Sequence, residues 1–74
     1  MSARKIETYE LVRDGVGIGP LYYDRSVEQS ESPIPGISWE DWEIIDEAIT
    51  EGCPGVGIEN DDGTWTWYEF ELVE

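Results

Sequence analysis

After Arg25 the chain contains no lysine, arginine or histidine. Its four cations, Arg4, Lys5, Arg13 and Arg25, lie beside Glu7, Glu10, Asp14 and Asp24, so the net charge of −14 belongs to residues 26–74 and their fourteen acids. Such a body repels DNA, RNA and anionic membranes. It is steered toward cationic surfaces at rates that fall with added salt. High net charge with low hydropathy also fits disorder, but 17 Leu, Ile, Val and Phe residues and nine aromatics supply a core. At 74 residues the chain forms a single domain, 1–74, of modest stability.

The alternation from Lys5 to Arg13 places Tyr9 and Leu11 on one face and Thr8 and Glu10 on the other, as in a half-buried strand. Asp14-Gly15 is a hairpin turn signal, and Val16–Tyr23 returns as a strand broken or bulged around Gly17, Gly19 and Pro20. Residues 26–36, rich in Ser and Pro, read as a connecting loop. Ser38 and Asp41 then form a capping-box-like start, with Ile37 placed to pack on Trp42, and Gly52 and Pro54 stop the helix. Trp42, Ile45, Ala48 and Ile49 share its apolar stripe, while Glu40, Glu43, Glu47 and Glu51 lie opposite, within about 80° of one another. Gly55–Glu59 and Thr64–Val73 flank Asn60-Asp61-Asp62-Gly63 as a second hairpin. The expected fold is α+β, a small antiparallel sheet of three to four strands in two hairpins with one helix on a face.

Reactive chemistry is sparsely represented. Lone Cys53 has no intrachain disulfide partner and no histidine to activate it, and the residue types of a zinc site are missing. Asn60, Asp62, Gly63 and Glu69 match part of a calcium-loop spacing, but Ile58 stands at the first ligand position and strands flank the turn. Gly15–Gly19 lacks the third glycine and the following helix of a phosphate-binding loop. The expectation is therefore no enzyme, no cofactor and no metal. With no apolar stretch long enough for a membrane span and no secretory h-region, the compartment expected is the cytoplasm. Unpaired strand edges permit either a monomer or a homodimer.

Two features point to binding. Glu43, Glu47 and Glu51 repel one another at successive i,i+4 spacings where a helix built for stability would alternate Glu with Lys. Their axial repeat of about 6 Å is close to two nucleotide steps along one DNA strand. On the last strand Thr64, Thr66, Tyr68, Phe70 and Leu72 form the expected core face, and Trp65 and Trp67 share the other face with Glu69, Glu71 and Val73. That face is either a second core surface or an exposed interface of indoles among carboxylates. The partner-contact set is Glu40, Glu43, Asp46, Glu47, Glu51, Asp61, Asp62, Trp65, Trp67, Glu69 and Glu71.

Small size, acidic clustering, aromatic richness and missing catalytic groups make the chain resemble phage-encoded inhibitors that imitate nucleic acid, anti-CRISPR proteins among them. It is similar in kind to uracil-DNA glycosylase inhibitors and anti-restriction proteins. The resemblance is one of class and composition, without a shared motif. It implies stoichiometric occlusion of the Lys and Arg sites of a basic nucleic-acid-binding protein, within the host cytoplasm if the chain is phage-encoded. The competing expectations are an immunity or antitoxin partner of a basic toxin, and a small acidic protein adapted to high salt.

Overall fold

The computed structural model describes residues 5–31 and 34–73. β1 (Ile6–Arg13) and β2 (Val16–Asp24) pair antiparallel around Asp14 and Gly15, whose φ values of 50° and 84° give the mirror-image turn that suits the twist of a two-residue hairpin. The same turn is stitched to the last strand. The Asp14 backbone N–H donates to the Trp67 carbonyl at 2.8 Å, and the Asp14 carboxylate accepts the Trp67 N–H at 2.9 Å. β2 absorbs its glycines by bulging: the register slips between Leu11 and Val12, leaving Ile18 without an opposite residue.

A short third strand, β3 (Gln29–Glu31), pairs with Tyr22–Asp24 and lies inside the segment expected to be a loop. The expectation of three to four strands is thereby corrected to five, and residues 26–36 do not act throughout as a connection; Ser32 and Pro33 of that stretch lie outside the described residues. Three polar residues carry no periodic signal. What fixes them comes from distant sequence, because the Asp46 carboxylate on the helix accepts both the Ser30 backbone N–H, at 3.1 Å, and the Ser30 hydroxyl.

The helix, α1 (Trp39–Thr50), begins where its cap dictates. Ser38 is extended and its hydroxyl accepts the Asp41 N–H at 3.1 Å, while Ile37 packs against the core. At the other end Gly52 adopts φ 81°, its N–H bonding the Ile49 carbonyl at 3.0 Å and the Cys53 N–H bonding that of Ala48 at 2.9 Å. These two bonds are the Schellman pair, which places glycine in the left-handed position. Thr50 donates to the Asp46 carbonyl at 2.9 Å, so the buried Tyr23 hydroxyl donates to Thr50 Oγ1.

β4 (Gly55–Glu59) and β5 (Trp65–Val73) form the second hairpin, closed by Gly63 at φ 87° and by the Asp62 carboxylate accepting from the N–H and hydroxyl of Thr64. Among the described residues the sheet order is β3-β2-β1-β5-β4, antiparallel throughout and curled so that both edge strands contact α1. Leu11, Leu21, Tyr23, Ile58, Tyr68 and Phe70 meet Trp42, Ile45, Ala48 and Ile49 of the helix. All four residues of the expected helical stripe are buried.

The Asp46 clasp has a measurable cost. Burial pushes the Asp46 carboxyl above its ordinary range, Ser30 pulls it back, and Glu43 adds repulsion. A raised folded-state pKa stabilises below the unfolded value and loses that contribution as pH rises through the folded one. Asp46→Asn keeps an acceptor oxygen for Ser30 and removes the charge. At pH 7 the variant should melt a few degrees above the parent, in line with about 0.2–0.5 kcal/mol for one relieved helical repulsion. The difference should shrink in melts followed by circular dichroism as pH is lowered toward about 4.

Candidate partner-binding surfaces

The helix covers one face of the sheet, and this separates the expected contact residues into surfaces that point in opposite directions. Glu40, Glu43, Glu47 and Glu51 are exposed along the outer side of α1. Asp46 belongs to that helix but is half-buried and occupied by Ser30. Trp39, at the first helical position, is also exposed. Two seams flank the helix. Toward β3, a groove of about 340 Å³ is lined by Glu28, Gln29, Glu43, Asp46, Glu47 and Thr50. Toward the second hairpin, one of about 410 Å³ brings Glu40 and Asp41 near Glu59 and Asp61 over Ile44 and Ile58. Asp61 and Asp62 are exposed at the hairpin tip, and the Thr64 hydroxyl and N–H hold the Asp62 carboxyl below its usual range.

On the opposite face β5 presents Trp65, Trp67, Glu69, Glu71 and Val73, all exposed, while its alternate residues Tyr68 and Phe70 enter the core. Trp65 is 65% and Trp67 48% accessible, which decides between the two readings of these indoles in favour of exposure. Their geometry comes from β4. Opposite Trp67 stands Gly57, and opposite Glu69 stands Gly55. A Cβ on Gly55 would lie 2.9 Å from Trp67 Cζ2, and one on Gly57 3.2 Å from Trp67 Cε3 and 3.5 Å from Trp65 Cε3. The indoles therefore lie over a strip of bare backbone, covering it from water.

Around them the register adds Glu59 opposite Trp65, Val12 opposite Glu69, and Glu10 directly opposite Glu71. Tyr22 and Ile6 continue the face on β2 and β1 and are exposed. The first strand's alternation already put Thr8 and Glu10 away from the core; that they adjoin Glu71 and Val73 required the β1–β5 pairing, which joins residues some sixty positions apart. Trp39 and Tyr22 had no such sequence signal.

Other chemistry is limited. Cys53 is exposed, in a chain without histidine. Among the described residues no group of three His, Cys, Asp or Glu side chains is arranged around a metal position, and no helix is long and apolar enough to cross a membrane. One cation, Arg25, is used internally. Arg25 Nε donates to Glu7 at 3.0 Å, its guanidinium reaches the Tyr9 hydroxyl at 3.3 Å, and its centre sits 5.0 Å above the Tyr23 ring.

The glycine strip explains a difference that a melt can read. Alanine at 55 would place its Cβ 2.6 Å from the Tyr68 carbonyl oxygen, a backbone atom fixed within the sheet, whereas the atoms nearest to alanine at 57 are indole carbons of the exposed Trp67 and Trp65, the first at 3.2 Å. Gly55→Ala should cost about 1–3 kcal/mol, as overpacking does, and Gly57→Ala distinctly less. Comparable melting temperatures for the two would refute this account of the strip. No family model matches the chain, no curated protein matches its sequence, and no solved structure matches its fold.

Proposed function

We propose that this chain is a non-catalytic inhibitor that binds the basic surface of a nucleic-acid-binding protein and blocks its access to DNA or RNA, in the manner of anti-CRISPR proteins. The observation that carries this reading is the row Glu40, Glu43, Glu47 and Glu51, which stays exposed on the helix with no cation after Arg25 to neutralise it. Self-repulsion along that row costs stability, and a cationic partner relieves it where dissolved salt only screens it. Partner Lys and Arg side chains would displace counterions from this surface as they do from a phosphate backbone. Two exposed indoles on the far face support a dedicated protein contact over acidity as a salt adaptation, since solvation gains nothing from them.

The test begins with affinity capture at low salt from an extract of the natural host, followed by competition. A recovered nucleic-acid-binding protein should lose affinity for this chain when preloaded with its DNA or RNA, and both complexes should weaken as salt rises. Equal binding to the loaded partner with its nucleic-acid affinity intact would overturn occlusion.

The helix row should act mainly on encounter. Changing Glu43, Glu47 and Glu51 together to Gln should slow association and flatten its salt dependence while altering dissociation little. The same variant should be more stable, by about 0.4–1 kcal/mol for two relieved i,i+4 repulsions. An unchanged association rate, measured by surface plasmon resonance across a salt series, would remove the helix from steering.

A further inference from the structure

We infer that the open face of the sheet, rather than the helix, is the anchoring surface, and that it takes arginine side chains of the partner stacked on the indoles of Trp65 and Trp67. The inference rests on the proposed function for its partner class, and it adds the face and the group recognised.

The indoles are held for stacking. Gly55 and Gly57 let them lie against backbone, so one side of the aromatic surface is supported and the other is left to solvent. The backbone beneath Trp67 is held from both flanks, by β4 pairing and by the two hydrogen bonds to Asp14. Carboxylates surround the platform: Glu59 opposite Trp65, Glu69 two residues along the same face from Trp67, and Glu71 beyond it, with Glu10 opposite Glu71 in register and its carboxylate over Gly17 of β2. Acids gathered on one face repel, and a cation among them turns that repulsion into attraction.

A guanidinium satisfies both parts of this surface. It is planar and weakly hydrated, so it stacks on an aromatic face, and its N–H groups remain available in the ring plane for neighbouring carboxylates. An ammonium meets the charge but stacks poorly. The chain builds the same arrangement within itself, where Arg25 lies over the Tyr23 ring and bonds the Glu7 carboxylate. A second copy of the chain is disfavoured as occupant, because Glu10, Glu59, Glu69 and Glu71 would meet their own kind across the interface. DNA and RNA are repelled for the same reason.

The experiment uses the full chain labelled with ¹⁵N and two probes of equal charge, a decapeptide of arginine and one of lysine. The indole N–H signals of Trp65 and Trp67 should move on adding the arginine peptide and much less with lysine, while that of buried Trp42 stays in place. Arginine should bind about two- to fivefold more tightly, the range of an exposed cation–π contact. Trp65→Leu, at the more exposed position, should reduce the preference, and Trp65→Leu with Trp67→Leu should abolish it, with lysine binding falling less than arginine binding in both. Glu69→Gln with Glu71→Gln should weaken both peptides. Shifts confined to helix amides and Trp39, or an arginine preference that survives undiminished in the variant lacking both indoles, would overturn the assignment. Because the peptides need no natural partner, that failure is distinct from failure of the proposed function, which is read from nucleic-acid competition.

Discussion

A single helix of twelve residues has to bury a sheet of five strands, and it can cover only one side. The arrangement of the described residues follows from that shortage. The sheet curls until β3 and β4, its two edges, both reach α1, and the helix contributes Trp42, Ile45, Ala48 and Ile49 as a continuous wedge against six sheet residues. Polar links at the rim make the curl specific: Asp46 holds Ser30, and Thr50 accepts from Tyr23. The uncovered side must then be stable in water without a second layer. Glutamates meet that demand on β1 and β5, but the tryptophans do not, and this is why the open face invites a functional explanation.

The same shortage shaped what could be read from the sequence. The helix was legible in full because its signals are local: Ser38 as cap, a four-residue apolar stripe and Gly52 in the left-handed position act over a few residues. The hairpins were legible for the same reason, through Asp14-Gly15 and the Asn60–Gly63 turn. β3 was not, since Gln29, Ser30 and Glu31 alternate nothing apolar and owe their place to an aspartate sixteen residues away. The period-2 pattern of β5 placed Tyr68 and Phe70 correctly in the core but put Thr64 and Leu72 there too, which are exposed at the ends of the strand beyond the helix's cover, and it could not say whether a second layer covered Trp65 and Trp67. That depended on how many helices the chain can form.

The contact residues read from sequence as one acidic set prove to be a set of surfaces. The helix row and the sheet face lie on opposite sides of the molecule, with Asp61 and Asp62 at the hairpin tip between them, so a partner that engages both must do so with a groove or cleft rather than a flat surface. Charge and aromatic content cannot make this division, because they are blind to which side of a sheet a helix takes.

The two surfaces also differ in the physics they can exert. Carboxylates on a solvated helix act over about the Debye length, roughly 8 Å at physiological ionic strength, and their attraction depends little on the detailed geometry of the cation. The indoles act only on contact, and their strength depends on the approach of a planar group to a supported ring. Long-range, forgiving attraction suits encounter, and short-range, geometrically exacting contact suits residence. Glycines 55 and 57 are the structural link between them: by giving up side chains on the edge strand, they allow two large aromatics to lie exposed yet fixed within a field of carboxylates. The proposed function requires that second kind of contact, because charge alone would give the chain no advantage over a competing polyanion.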